Sequence, residues 1–160
     1  KEVPAKGQIA IFNRSHYEDI IAVRVKKIFP DPVWKRRYKH VLDFESMLAE
    51  EGTVIIKLFL NISKAEQKKR LESRLQDPDK LWKFCMDDLD DRNRWDEFQT
   101  AYQDLIEKTS TPEAPWYIIP ADRKWYRNLV VARLMVEKLR HLQLSLPTPN
   151  FDPASIIIPD

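Results

Sequence analysis

The chain has 160 residues, 43% hydrophobic and 32% charged, which is the composition of one globular domain with a real core rather than a disordered or fibrous segment. Its net charge of +2 gives no overall bias toward nucleic acid, so any polyanion binding must come from local clusters. One cysteine, Cys85, excludes an internal disulfide framework, and no apolar run approaches the roughly 18 residues that a membrane-spanning helix needs.

The first element is a short apolar strand, Gln8 to Phe12, which runs into Asn13-Arg14-Ser15. A helix over His16 to Ile28 follows, with Ile20, Ile21, Val23 and Ile28 on its apolar side and Ser15 placed to cap it. Polar and charged side chains directly beyond a buried strand are how open α/β sheets build sites at the carboxyl ends of their strands. Here Arg14 offers a planar fork of donors suited to phosphate oxygens, and Glu18 can reach a magnesium ion or its waters. The same residues also read as a helix cap with an exposed arginine.

A second helix is expected from Pro32 to Glu51, with Trp34, Tyr38, Val41, Leu42, Phe44 and Leu48 near 3.6-residue spacing and Gly52 as its stop. Thr53 to Leu60 (TVIIKLFL) reads as a strand covered on both faces. Ser63, with Glu66 three residues on, opens a helix to about Gln76, which Asp77-Pro78 ends. Asp87 to Lys108 reads as one long helix capped by Asp87, Trp116 to Ile119 as a third strand, and Asp122 to Leu144 as the last helix. From residue 146 four prolines disfavour any regular element, leaving an extended tail that could dock through Ile156 to Ile158. Strands alternating with helices predict βαβ crossovers and a parallel sheet.

Ser63 to Lys83 holds seven basic residues against four acidic ones. Arg70 and Arg74 share a helix face, and Lys80 and Lys83 lie beyond the proline break. Two cationic pairs about a hinge suit a lid that closes over phosphates, although a solvated charged helix has the same pattern. Asp87, Asp88, Asp90 and Asp91 could group around a metal, but acids in a first helical turn are more simply explained by the macrodipole. His16, His40 and His141 have no ligand spacing, and with one cysteine no zinc site is expected. Glycine occurs only at Gly7 and Gly52, so these 160 residues contain no glycine-rich phosphate loop. That scarcity and the start at Lys1 favour the carboxyl-terminal portion of a longer protein; a processed chain is the alternative.

The runs GQIAIFNRSHYEDIIAVRV, IIKLFLNIS with KAEQKKRL and ESR, DPDKLWK, and TSTPEAPWYIIPADRKWYRN together resemble the second family of polyphosphate kinases, the polyphosphate:nucleotide phosphotransferases, over nearly the whole chain to about residue 145. The resemblance implies an α/β, P-loop kinase-like three-layer fold with a parallel sheet and a helical lid, its first phosphate-loop strand missing from this chain. Residues 1–145 would be the partial catalytic domain, with the lid at about 74–92, and 146–160 the tail. It implies phosphoryl transfer between inorganic polyphosphate and AMP, ADP or ATP, with Mg2+ (or Mn2+) as cofactor, in a cytoplasmic homo-oligomer with neither membrane nor nucleic acid as partner. The FNRSHYED form is more similar to members that phosphorylate AMP, or both AMP and ADP.

By the same resemblance Arg14 contacts the transferring phosphate and Glu18 serves magnesium or the transferred proton. Asn13 stands where many members have a metal-binding aspartate, which weakens its claim as a ligand. Arg74, Lys80 and Lys83, with Arg70 beside them, fall on the lid, and Asp87 and Arg92 brace it. The family's Walker A motif lies upstream of the matched region, so residues 1–160 alone are expected to be inactive or nearly so. An ATP-dependent nucleoside monophosphate kinase and a non-catalytic polyanion-binding relative are the competing expectations.

Overall fold

The computed structural model describes residues 3–145 and 148–159. Helix α1 (Glu18–Val25) is followed by α2 (Asp31–Glu50), β1 (Lys57–Asn61), α3 (Lys64–Gln76), a 3-10 turn (Pro78–Lys83), α4 (Asp87–Asn93), α5 (Trp95–Thr109), β2 (Trp116–Pro120) and α6 (Lys124–His141). β1 and β2 pair in parallel, from Lys57 opposite Trp116 to Asn61 opposite Pro120, so the whole stretch from α3 to α5 is the crossover that parallel pairing demands.

α1 packs against α2 and α5. Ile20, Ile21, Val23 and Val25 of α1 meet Trp34, Tyr38 and Val41 of α2 and Ala101 and Leu105 of α5 in one buried cluster. The buried positions of α2 are 34, 38, 41 and 45, a regular helical stripe whose last member is Glu45 rather than an apolar residue. Gly52 ends α2 as expected. It adopts φ +86°, and the Gly52 and Thr53 amides donate to the Ala49 and Leu48 carbonyls, a left-handed cap that a side chain would strain.

Several expected elements differ. Residues 8–12 form no strand. Among the described residues only β1 and β2 pair, so nothing offers 8–12 a hydrogen-bond ladder, and Ile11 is 82% exposed. The strand expected over 53–60 is confined to Lys57–Asn61, the length for which β2 supplies partners. Ser15 does not cap α1; Tyr17 is the N-cap, and Ser15 Oγ accepts the Tyr17 amide one turn earlier. The helix expected over 87–108 is two helices. Arg94 leaves helical geometry between them (φ −97°, ψ 23°) and its guanidinium donates to the Val25 carbonyl at the end of α1. Asp87 lies inside the first turn of α4, whose N-cap is Met86. Of the expected tail, residues 146, 147 and 160 lie outside the described residues. In 148–159 only Pro153–Ser155 forms a single 3-10 turn, and Ile156, Ile157 and Ile158 are exposed rather than packed against the described residues.

Candidate active site

The Arg14 fork sits in the loop that enters α1, and Glu18 is the first residue of that helix. Arg14 Nε donates to Glu18 Oε1 at 2.6 Å, with the arginine side chain 79% exposed. Arg14 holds φ 78°, a left-handed conformation that costs a non-glycine residue about 1–3 kcal/mol. An exposed ion pair contributes less than ~1 kcal/mol, so the Arg14–Glu18 contact cannot by itself hold the loop in that shape. Asn13 is exposed just ahead of it.

A cleft of about 260 Å³ opens beside the pair. Arg14, Glu18, Lys26 and Asp91 supply its charges, and Phe59 and Tyr102 are among its aromatic walls. Lys26 Nζ lies 2.9 Å from Asp91 Oδ1, which joins the end of α1 to α4. That contact is an ion pair without hydrogen-bond alignment, and it raises the Lys26 pKa. Burial, reinforced by the charges of Glu18 and Asp91, pushes the Tyr102 hydroxyl above the usual phenol range, so it stays a neutral donor. A larger hollow of about 660 Å³ runs along α6 past Ala132, Val136 and Arg140; one helix lines it, and it holds none of the expected site residues.

The lid cations are brought to the expected segment but are largely engaged there. Arg74 Nη1 donates to Asp88 Oδ2 at 3.1 Å and reaches the Lys83 carbonyl at 3.4 Å. Lys80 pairs with Asp77, and that partner is the first reason the Asp77 carboxyl is held low. Lys83 Nζ stands 4.9 Å over the Trp82 ring, a cation–π contact on an exposed indole. Arg70 is committed to the fold: Nε donates to Glu66 at 2.8 Å and Nη2 to the Ala121 carbonyl at 2.7 Å, which ties α3 to the end of β2. Only half of the expected capping box forms as a result. The Glu66 amide donates to Ser63 Oγ, while the Glu66 carboxylate goes to Arg70 and the Ser63 amide to Asp122. Arg92 Nη1 donates to the Lys64 carbonyl (2.8 Å) and to Gln67 Oε1 (2.9 Å), joining α4 to α3. Asp87 is exposed. No hydrogen bond or ion pair among the described residues links Arg14 or Glu18 to Arg70, Arg74, Lys80 or Lys83.

Directly behind the Arg14 loop lies a buried polar network that the sequence reading did not isolate. Lys57 Nζ donates to Glu45 Oε2 (2.7 Å), to the Tyr17 hydroxyl (3.1 Å) and to the Thr109 carbonyl (2.6 Å). Tyr17 Oη donates to Glu45 Oε1 at 2.5 Å. Trp116 Nε1 donates to Thr109 Oγ1, which in turn donates to the Leu105 carbonyl. Burial opposes the Glu45 charge, but contacts from His16, Lys57 and Tyr17 outweigh it and hold the carboxyl below its usual range. Of these, Lys57 and Tyr17 make the hydrogen bonds, because His16 Nε2 stands 3.8 Å off. Burial lowers the Lys57 pKa against the pull of Glu45, and burial followed by Glu45 raises that of Tyr17. The sequence did hold a signal: a lysine inside TVIIKLFL and a glutamate on the buried stripe of α2, two opposite charges at core positions.

Comparison with known proteins gives the same fold and sets its family. The description "Polyphosphate kinase 2 (PPK2)" matches residues 1–146, and the chain belongs to that family. It is similar to an AMP/ADP-polyphosphate phosphotransferase of Meiothermus ruber, 52% identical over 158 residues, covering 99% of this chain and 59% of the relative. It is also similar to an ADP-polyphosphate phosphotransferase of Rhodopseudomonas palustris, at 36% identity, 92% of this chain and 55% of the relative. The crystal structure of polyphosphate kinase 2 from Arthrobacter aurescens TC1 superposes with a TM-score of 0.91 at 48% identity, over 96% of this chain and 54% of that one. The fold is thus the α/β, P-loop kinase-like one of the family. The chain spans just over half the length of these relatives.

Proposed function

We propose that this chain is part of an enzyme that moves a phosphoryl group between inorganic polyphosphate and a nucleoside mono- or diphosphate, AMP to ADP and ADP to ATP. The observation that carries the reading is the Arg14–Glu18 pair: a solvent-facing guanidinium, held at 2.6 Å by a carboxylate, at the mouth of a cleft in a chain of this family. The names borne by the Meiothermus and Rhodopseudomonas relatives support the substrate class.

In the proposed reaction an oxygen of the nucleotide's last phosphate attacks the terminal phosphorus of polyphosphate in line. A new P–O bond forms while the bond to the next phosphate breaks, and the chain leaves one unit shorter. Charge spreads over the three equatorial oxygens in transit, and preorganised donors stabilise it. Arg14 supplies a planar fork for two of those oxygens. Glu18, once phosphate takes its place on Arg14, is free to accept a proton or to hold the water shell of a cation. A magnesium ion, or manganese in its place, would supply neutralisation of the phosphate charge when bound. The donor set suits such an ion: the cleft carries the carboxylates of Glu18 and Asp91, and magnesium is commonly held by one or two carboxylates together with substrate phosphates and water. Glu18 would be that carboxylate; Asn13 is a lesser candidate.

Residues 74–92 act as the lid in this reading, with Lys83, Arg74 and Lys80 screening the polyphosphate. Arg74 and Lys80 must exchange Asp88 and Asp77 for phosphate as they close. Arg70 and Arg92 brace the lid's base, and Asp87 contributes to the helix terminus there. Among the described residues no helix is long and apolar enough to cross a membrane. A cytoplasmic setting, assembly with further copies, and indifference to nucleic acid complete the proposal.

The test uses the protein in its full encoded length with polyphosphate as sole donor. Formation of ADP from AMP, or of ATP from ADP, supports the reading. Turnover with ATP alone as donor would instead make it a nucleoside monophosphate kinase, and salt-sensitive polyphosphate binding without turnover would make it a polyanion-binding relative.

A further inference from the structure

Tyr17 lies between Arg14 and Glu18 in sequence, yet its side chain is buried while theirs are exposed. Its hydroxyl is held from two sides, donating to Glu45 and accepting from Lys57. Glu45 belongs to α2 and Lys57 opens β1, and Lys57 spends its remaining donor on the carboxyl-terminal end of α5. An ammonium has three protons to give, and all three are used here. The ring is packed as well: Trp116 of β2 meets it edge-on at 4.9 Å, and His16 stacks on it at 4.7 Å. One residue of the Arg14 loop is therefore fastened to α2, β1, the end of α5 and the start of β2.

The Arg14 loop needs such a fastening. Arg14 is in a left-handed conformation that its own surface ion pair is too weak to maintain. Among the described residues the Tyr17 hydrogen bonds are the buried polar link from this loop to the core, beside the turn bonds that lead into α1 and the edge-on packing of His16 on Phe44 of α2.

Resting on the phosphotransfer reading above, we infer that Tyr17, Glu45 and Lys57 form a positioning unit, which sets the Arg14 fork and the Glu18 carboxylate at the distance and angle that phosphoryl transfer requires. None of the three touches substrate. Their effect passes through the backbone from residue 17 to residues 14 and 18, and a displacement of about 1 Å there is enough to slow transfer on the order of 100-fold. Loss of the unit lowers kcat and leaves substrate binding, which the lid and Arg14 charge supply at longer range, nearly intact.

The test compares the wild-type protein with Tyr17→Phe, which keeps the ring and removes only the hydroxyl, in its full encoded length. Steady-state kinetics with polyphosphate and AMP or ADP are paired with backbone hydrogen exchange by mass spectrometry. The expected result is a kcat about tenfold or more lower, with KM for nucleotide and polyphosphate within about twofold. Exchange should rise over residues 13–20 and stay unchanged in α5 and α6. A kcat within about twofold of wild type, a loss carried by KM, or exchange that rises evenly across the molecule would each overturn the inference. Should Tyr17→Phe not fold, the double variant Glu45→Leu/Lys57→Met, which dismantles the unit and leaves no buried charge unpaired, is read by the same criteria. A wild-type protein that makes no ADP or ATP from polyphosphate sinks the phosphotransfer reading instead, and the exchange comparison still decides whether this network anchors the loop.

Discussion

Arg74, near the end of α3, and Asp88, in the first turn of α4, meet at 3.1 Å across the proline hinge and close residues 75–87 into a loop. Both side chains are about one-third exposed, so the pair is worth less than ~1 kcal/mol. That weakness suits a cation that must change partners when phosphate arrives. Asp88→Asn is therefore expected to move the melting temperature by no more than about 5 °C and kcat/KM for polyphosphate by less than about fivefold. In the proposed reading Arg74→Ala removes a charge-assisted bond to polyphosphate and should cost about tenfold or more in the same constant. Equal losses in the two variants would make Arg74 a brace rather than a phosphate ligand.

The Lys57–Glu45 pair has the opposite energetics. Both side chains are 5% exposed, so removing one partner strands the other's charge in the core. Lys57→Met should lower the unfolding free energy by about 3–5 kcal/mol in urea titration. The double variant Glu45→Leu/Lys57→Met should recover much of that loss, because no charge is left unpaired. A double variant as unstable as the single one would show that shape, not charge pairing, is what the site requires.

The same pair predicts an acid response. The folded-state pKa of Glu45 is held below its unfolded value. A depressed carboxyl contributes stability that is fully present above the unfolded pKa, about 4.3 for glutamate, and is lost as pH falls through the folded value. Unfolding free energy measured from pH 7 to pH 3 should therefore drop more steeply in wild type than in Glu45→Gln. Parallel profiles would mean that the Glu45 charge is not coupled to folding.

The helices that form the core were legible because their apolar spacing is regular: Ile20, Ile21 and Val23 of α1, Trp34, Tyr38 and Val41 of α2 and the Gly52 stop stand where the sequence placed them, whereas Ile28 falls beyond the end of α1 and is exposed, and Phe44 is exposed while its neighbour Glu45 takes the buried position. The parallel pairing of β1 with β2 followed from alternating strand and helix patterns. Residues 8–12 were misread because an apolar run reports burial potential, whereas a strand also needs a neighbour to bond, which the described residues do not provide. The break at Arg94 was invisible because it depends on a carbonyl 69 positions away in α1. Of the site, the Arg14–Glu18 contact was within reach of i, i+4 spacing. The Tyr17–Glu45–Lys57 network joins residues up to 40 positions apart and had only the oddity of core charges to announce it.

The most direct test of the central claim sets wild type beside Arg14→Ala, both in full encoded length, and follows single-turnover formation of ADP from AMP with polyphosphate as the only donor. The account predicts that wild type turns over and that Arg14→Ala is slower on the order of 100-fold or more, as for loss of one preorganised charge-stabilising donor, with its fold unchanged by circular dichroism. A wild type that is inactive with polyphosphate, or an Arg14→Ala variant as fast as wild type, would contradict it.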